Sequence, residues 1–244
     1  MLQQLRLDFA AREPPESTVI VGFPGAGMSA VSANQYLIEQ LELAETGHIH
    51  AEGLPAFMPY SEGRPYHATR LFSGIDVPVT LLSSEMPIPM QFSEAFGRTV
   101  LEWIEDRDVE EVTVLSGIPS LELDDGLHYV ASEDYVQARL EDGRAQPLSG
   151  GFLTGINASL VDRGLDTDLR VGVLATGVNP YRPLDPGAAV QLVEGVSELY
   201  GFDVDTAQLR EFADRTRQHY EELIAQIQAQ EQPTTVPRDD YGFM

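Results

Sequence analysis

The stretch Thr18-Val19-Ile20-Val21-Gly22-Phe23-Pro24-Gly25-Ala26-Gly27 decides the fold of this chain. Its first four residues are all β-branched, and an unbroken apolar run of this kind is typical of a strand buried on both faces. The glycines that follow predict a tight turn. A helix is predicted directly after the turn, with an apolar stripe formed by Ala30, Ala33, Leu37 and Leu41. A buried strand, a turn and a helix are the first half of a βαβ unit, which predicts a parallel sheet.

Three more short apolar runs, at residues 77–82, 112–115 and 171–174, alternate with helical patterns. Strands that alternate with helices imply right-handed crossovers. We therefore predict the α/β class, as a three-layer α/β/α sandwich with a mainly parallel central sheet. The interval 48–76 is rich in proline and glycine, which predicts short strands or a hairpin appended to that sheet.

Two helices are predicted in the last third of the chain. Residues 186–200 form the first, with Asp185 as its N-cap and Gly201 at its end. The second runs from about 205 to 230, and we expect its apolar stripe to pack on its own domain. Residues 1–230 are thus predicted to form a single α/β domain, and residues 231–244 a flexible tail.

The composition excludes several kinds of chemistry. The 244 residues include 39 acidic and 15 basic side chains, for a net charge of −24; every base is Arg, and Lys and Cys are absent. A lysine Schiff base, a cysteine nucleophile and cysteine-ligated zinc are therefore impossible. A nucleic-acid partner is not expected, because phosphate-backbone affinity needs clustered basic residues. The acids are dispersed, which favours a surface adapted to high salt over a local acidic binding surface.

The sequence predicts neither a membrane segment nor a bound metal or cofactor. No apolar run approaches the ~20 residues that span a bilayer, and no signal peptide is recognised at the N-terminus, so a cytoplasmic location is expected. His48 and His50 could share one face of an edge strand. Without a third ligand nearby, their spacing does not indicate a metal site.

Polar or glycine-bearing loops follow each of the four predicted strands. Because ligands bind beyond the carboxyl ends of parallel strands, these loops are expected to meet at one edge of the sheet. The predicted ligand pocket is formed by Gly25, Gly27, Ser84, Glu85, Gly117, Thr176 and Asn179.

Each of these candidates has a second interpretation. The Gly25-x-Gly27 turn could bind an anion at a helix N-terminus, or could be a tight turn that needs glycine for its backbone. Glu85 could be a base or part of an anion clamp, or could pair with Arg98 or Arg182. Asn179 precedes a proline and is interpreted as a turn residue more than as a ligand. No nucleophile–base–orienter set is evident, which is weak evidence for catalysis.

The order of these motifs resembles the family named after the second proteasome assembly chaperone. The resemblance rests on the opening 22–27 turn, on Ala33-Asn34-Gln35-Tyr36-Leu37-Ile38, and on the turns at 84–87, 117, 155–157 and 175–177. It spans roughly residues 7–220. The acidity and the absence of Lys make the chain similar to a haloarchaeal member.

This resemblance implies a fold like that of nucleoside phosphorylases or hydrolases. It also implies a non-enzymatic, homo-oligomeric assembly chaperone or docking factor, with the α subunits of the 20S proteasome core particle as partners. Some archaeal members of this family dock through a C-terminal tail that ends in a hydrophobic residue, a tyrosine and any residue. Here the corresponding candidates are Tyr241, Phe243 and Met244, and they depart from that pattern because Phe243 stands where tyrosine is expected.

Two other functions remain open from the sequence. The first is a small-molecule-binding protein, or a phosphorylase-like or hydrolase-like enzyme, that uses the pocket at the carboxyl edge of the sheet. The second is a purely structural oligomer in which the long C-terminal helix packs between subunits.

Overall fold

The computed structural model describes residues 5–120, 123 and 126–231. Within these residues the chain forms a nine-stranded sheet and a separate two-stranded hairpin. The strands are β1 (Arg6–Ala11), β2 (Thr18–Gly22), β3 (Ala44–Glu52), β4 (Tyr60–Ser61), β5 (Arg64–Pro65), β6 (Thr69–Ser73), β7 (Thr80–Ser84), β8 (Glu111–Pro119), β9 (His128–Ala131), β10 (Gln146–Pro147) and β11 (Arg170–Val178). The order in the large sheet is β1-β3-β6-β7-β2-β8-β11-β9-β10.

Helices cover both faces of the large sheet. In the part of the chain that the structure describes they are α1 (Ser29–Gln40), α2 (Met90–Glu105), α3 (Glu133–Arg139), α4 (Gly155–Leu165), α5 (Pro186–Tyr200) and α6 (Ala207–Glu231). α1 packs against α5 on one face, α2 packs against α4 on the other, and α6 lies against α5. None of the described helices is both long enough and apolar enough to cross a bilayer.

The four central strands β7, β2, β8 and β11 are parallel and adjacent. Every residue of β2 and of β7 is buried, so both sheet faces are covered there. Val21 of β2 lies between Leu82 of β7 and Val114 of β8. The predicted α/β class and three-layer architecture are confirmed, with the apolar runs forming the parallel centre of the sheet.

Two apolar cores separate the sheet from the helices. Ile20, Leu115 and Leu174 point to one side, where they pack with residues of α1 and α5. Val19, Val21 and Val112 point to the other side, where they pack with residues of α2 and α4. Successive residues of one strand alternate between the two cores, as a pleated strand requires.

The flanks of the sheet are mixed. On one flank, β1 pairs antiparallel with β3, β3 with β6, and β6 with β7. On the other flank, β9 pairs antiparallel with β11. β3 runs for nine residues although only Gly47 and Ile49 in it are buried. A strand with so few apolar residues carries little apolar signal, because its outer face meets solvent and its polar residues are stable there.

The predicted strand at 77–82 begins later than expected, at Thr80. Pro78 has no N–H to donate to a neighbouring strand. The chain also bends there, since the Val79 N–H donates to the Val77 carbonyl at 2.8 Å. By contrast, α5 begins and ends where predicted: the Ala188 N–H donates to Asp185 Oδ1 at 3.3 Å, and Gly201 closes the helix with φ of 72°.

The apolar stripe of the last helix packs on its own domain near the start of the helix but not near its end. Leu209 near the start of α6 is buried, but Leu223, Ile224 and Ile227 are 43%, 51% and 50% exposed. Length explains the difference, because 25 helical residues span about 37 Å whereas the 15 residues of α5 span only about 22 Å. The distal part of α6 therefore extends past the helix that supports it.

Candidate functional site

The turn after β2 is closed by a buried asparagine. A Cβ at Gly22 would lie 2.6 Å from Asn34 Nδ2, so only glycine fits beside this side chain. Asn34 Nδ2 donates to the Leu82 carbonyl at 3.2 Å and thereby joins α1 to β7. Its Oδ1 is buried and has no hydrogen-bond partner among the described residues. In the sequence Asn34 is one residue of the 33–38 motif, and the structure gives it this bridging position.

The two candidate glycines of this turn have different environments. Gly25 is exposed, and its carbonyl accepts from the Met28 N–H at 3.1 Å. Gly27 is buried with φ of +60°, and a Cβ there would lie 2.5 Å from Val178 Cγ1. The Gly27 carbonyl accepts the Asp185 N–H at 2.9 Å, which ties the turn to the start of α5. Gly27 therefore serves backbone geometry and close packing, whereas a Cβ at Gly25 would come no closer than 3.9 Å to the Phe23 carbonyl oxygen.

Gly117 of β8 packs against the same turn. A Cβ at this position would lie 2.5 Å from both the Ala26 carbonyl oxygen and Ser29 Oγ. Gly117 also pairs in register with Thr176 of β11. The ends of β2, β8 and β11 are thus brought together against the turn that leads into α1. This geometry favours the tight-turn interpretation over the anion-binding one.

Ser84 and Glu85 are bound mainly to residues on or next to β6. Ser84 Oγ is fully buried, lies 2.8 Å from Thr69 Oγ1 and accepts from the Met86 N–H at 3.2 Å. Glu85 accepts from Tyr66 OH at 3.1 Å and from Arg70 Nη2 at 3.2 Å. The expected kind of pairing is present, but the arginine is Arg70, not Arg98 or Arg182. Sequence spacing could not reveal the Arg70–Glu85 pair, because the two residues meet only where β6 and β7 lie side by side in the folded sheet.

The residues around Glu85 form a stacked cluster on and beside β6. The Arg70 guanidinium carbon lies 4.2 Å from the centroid of the Tyr66 ring and 4.9 Å from that of Phe72. Burial, and then the nearby charge of Glu85, raise the pKa of Tyr66 above its ordinary value. Tyr66 and Arg70 both donate to Glu85, so the role of the Glu85 carboxylate is to hold this cluster together.

Thr176 and Asn179 lie at the end of β11. Thr176 Oγ1 is fully buried and donates to Gln191 Oε1 of α5. Asn179 Oδ1 accepts from the Tyr181 N–H at 3.0 Å, and the Asn179 N–H donates to Asp185 Oδ2 at 3.2 Å. Asn179 thus closes a short turn, as its sequence context indicated. It also lines a cavity of about 370 Å³ between this turn, α5 and α6.

A charged network that the sequence did not reveal lies at the opposite edge of the sheet. Glu111 is fully buried; it accepts from Arg139 Nε at 2.9 Å, from Arg170 Nε at 3.2 Å and from Tyr200 OH at 2.8 Å. Burial raises the pKa of Tyr135, which bonds to Thr113 in the same network, to about 12. Both oxygens of Glu111 are satisfied, so the network joins α3, α5, β8 and β11 instead of offering a reactive group.

The predicted pair His48 and His50 lies on β3, which is one strand in from the edge. Their expected place on an edge strand is therefore wrong, because β1 covers β3. His48 stacks on His67 with ring centroids 3.6 Å apart. Burial, and then the charge of His67, lower the pKa of His48. Among the described residues no group of three His, Cys, Asp or Glu side chains is arranged to hold a metal ion.

The predicted docking residues Tyr241, Phe243 and Met244 lie outside the described residues. The seven predicted pocket residues do not enclose one ligand site. Gly27 and Gly117 meet at one packed centre, Ser84 and Glu85 bond mainly to residues on or beside β6, and Asn179 lines a separate cavity.

The fold and its packed glycine turn define a class of three-layer α/β/α proteins with antiparallel strands on both flanks of the sheet. Sequence comparison narrows the class, because the PAC2 family matches residues 19–224. The chain belongs to the PAC2 family. A comparison with curated proteins finds no match.

Solved structures share this fold at low sequence identity. PbaA of Pyrococcus furiosus, described as an archaeal homolog of proteasome-assembly chaperone, is 21% identical with a TM-score of 0.79; the match covers 91% of this chain and 93% of that one. PbaB of the same organism, described as an archaeal proteasome activator, is 17% identical with a TM-score of 0.75, covering 91% and 99%. A PAC2 family protein from Streptomyces avermitilis is 18% identical with a TM-score of 0.68, covering 84% and 95%.

Proposed function

We propose that this chain is a non-enzymatic, homo-oligomeric chaperone of proteasome assembly or a docking factor for the 20S core particle. The observation that carries the proposal is the PAC2 family match, which extends over residues 19–224. The names of PbaA and PbaB, one a chaperone homolog and the other a proteasome activator, support the same partner class.

The state of the polar side chains at the strand ends supports binding over catalysis. Ser84 bonds to Thr69, Glu85 to Arg70, and Thr176 to Gln191. A nucleophile needs a free lone pair beside a base that can take its proton. Each of these groups instead holds two parts of the fold together.

The distal part of α6 supports the homo-oligomeric part of the proposal. Leu223, Ile224 and Ile227 are each about half exposed, and residues 223–230 carry no charged side chain. In a chain of net charge −24, two copies can approach with little repulsion at an uncharged segment such as this one. Apolar side chains spaced four residues apart, such as Leu223 and Ile227, form a seam suited to helix pairing.

The proposed partners are the α subunits of the core particle, contacted through the segment that contains Tyr241, Phe243 and Met244. Aromatic side chains gain most by leaving water for an apolar pocket, so this segment is a suitable anchor. The proposed location is the cytoplasm. The dispersed acidic charge is proposed to keep the protein hydrated in concentrated salt.

A pull-down with an archaeal 20S core particle in high salt tests the proposal. The full chain should retain the core particle, and a chain that ends at Glu231 should retain it about tenfold less, which corresponds to a loss of 1.4 kcal/mol. A Phe243→Ala variant should bind between these two. Retention by neither the full chain nor the shortened one would show that this chain has no proteasome role.

A matched control keeps the tail but changes its composition. Asp239 and Asp240 in the same segment can be replaced by Asn, which preserves its length and its aromatic residues. Binding should survive this change if aromatic contacts anchor the segment.

The alternative function, a small-molecule-binding protein, is favoured by one observation, the cavity beside Asn179.

A further inference from the structure

The cavity lies beyond the carboxyl end of β11, between the turn at 179–185, the start of α5 and one side of α6. Its volume of about 370 Å³ is within the range of small-molecule sites. One part of its wall is apolar and includes Leu184, Pro186 and Ala213. A molecule bound here would touch both α5 and α6.

Arg182 supplies a positive charge to this cavity. It is half-buried and forms no ion pair with any carboxylate of the described residues. Its guanidinium carbon lies 5.7 Å from the centroid of the Tyr220 ring on α6, and its backbone N–H donates to the Asn179 carbonyl at 3.0 Å. In a chain with 39 acidic and 15 basic residues, an arginine held in place without a carboxylate partner is suited to an external anion.

A second arginine, Arg217 of α6, also lines the cavity. Its Nη2 pairs with Asp214 at 2.6 Å, and a guanidinium has five N–H donors, so further donors remain. The positive end of the α5 dipole, at Pro186 and Gly187, lies in the same wall. The two arginines act in the same direction, whereas the helix end is already capped by the Asp185 carboxylate.

Asp185 is the carboxylate in this wall, and its charge is already engaged. Oδ1 accepts the Ala188 N–H at 3.3 Å and Oδ2 accepts the Asn179 N–H at 3.2 Å. Carboxylates that accept backbone N–H bonds are stabilised where they are and need no arginine. Asp185 thus shapes the turn and keeps its negative charge, but it forms no ion pair with Arg182.

We propose that this cavity binds a small organic anion with an apolar group. Its carboxylate or phosphate lies between Arg182 and Arg217 near the start of α5, and its apolar group rests on Leu184, Pro186 and Ala213. Three neutral polar side chains also line the cavity and fix the orientation of the ligand: Asn179, Gln191 and Thr216. This function is separate from proteasome docking and does not depend on the tail.

The test uses the full chain and three phenyl-containing probes that differ in one group: phenylacetate, phenyl phosphate and the neutral phenylacetamide. Thermal unfolding and calorimetric titration are run at one high, fixed chloride concentration, so that general screening is constant. A saturable rise of the unfolding midpoint with either anion, and none with the amide, is expected, because a ligand that binds only the folded state stabilises it. The stronger of the two anions identifies a carboxylate or a phosphate ligand.

Arg182→Gln should weaken binding by about tenfold or more, because it removes a charge-assisted hydrogen bond. Arg98→Gln is the matched control, because Arg98 is an exposed arginine of α2 on the opposite face of the sheet. This variant should leave the affinity for the anion unchanged. Equal binding by wild type and Arg182→Gln would overturn the proposal. The same holds if no anion gives a saturable response, or if the neutral amide binds as well as the anions.

Discussion

At Gly117 two segments of the chain approach more closely than any side chain would allow. The hydrogen of this glycine faces the Ala26 carbonyl oxygen and Ser29 Oγ, and a Cβ would lie 2.5 Å from each. The Ala26 atom is backbone at the start of the turn into α1, so it cannot rotate away. This contact, more than any ligand, explains why glycine occupies the end of β8.

Gly117→Ala should destabilise the protein by about 1–3 kcal/mol, because the added methyl group forces backbone shifts in a packed region. Urea unfolding measures the effect. The matched control is Gly150→Ala, since a Cβ there meets nothing within 4 Å and φ is not positive. That control should change stability little or raise it slightly, by restricting the unfolded chain. Equal stability of the two variants would show that the turn can move away.

Glu111 illustrates what a single sequence cannot show at the residue scale. It begins β8 as one acid before an apolar run, and nothing nearby in the sequence marks Arg139, Arg170 or Tyr200 as its partners. These residues are 28 to 89 positions away and meet it only because α3, α5 and β11 pack around the same strand. The pairing depends on tertiary structure, so no local pattern predicts it.

At the scale of elements, α6 is both part of the domain and an extension of it. Its first turns bury Leu209 against the core that contains α5, whereas its last turns leave Leu223 and Ile227 about half exposed. The same apolar spacing therefore meets two environments along one helix. The greater length of α6 relative to α5 accounts for the exposure of its last turns.

Replacing Leu223 and Ile227 together by Gln should lower the molar mass measured by light scattering, because the exposed seam is the proposed contact between copies. The monomer should keep its unfolding midpoint, since these side chains contribute little to its own core. Leu165→Gln on α4 is the control, a similarly exposed leucine at 68% in another helix. An unchanged mass in the double variant would contradict the proposed contact.

The central strands were predictable and the flanking strands were not, for a physical reason. β2, β7, β8 and β11 are covered by helices on both faces, so most residues at their centres are apolar and give a clear signal. β3 contains His48, His50 and Glu52 because one face is open. The side-chain partners at the strand ends, such as Arg70 with Glu85, depend on which strands are neighbours. That order of strands cannot be read from a single sequence.

At the scale of the whole molecule, the net charge of −24 works against compactness. Like charges on one folded body repel, and salt shortens the reach of this repulsion from about 10 Å at 0.1 M to about 3 Å at 1 M. Lys is absent, so all the opposing charge comes from 15 arginines.

The urea concentration at the midpoint of unfolding should therefore rise as sodium chloride is raised from 0.1 M to about 1 M and above. The slope of the unfolding free energy with urea should stay constant, because the surface exposed on unfolding does not change. A midpoint independent of salt would show that the acidic surface is not a salt adaptation.

The two outer edges of the sheet have a further consequence, for the way copies can associate. β10 is only two residues long and one of them is Pro147, which has no N–H to offer another strand. On the other side, β1 carries Arg6 and Asp8, which pair at 3.2 Å. Charged, short or proline-bearing margins resist strand-to-strand addition and so guard against fibrous aggregation. Growth of an assembly by extending the sheet is thus disfavoured at both edges.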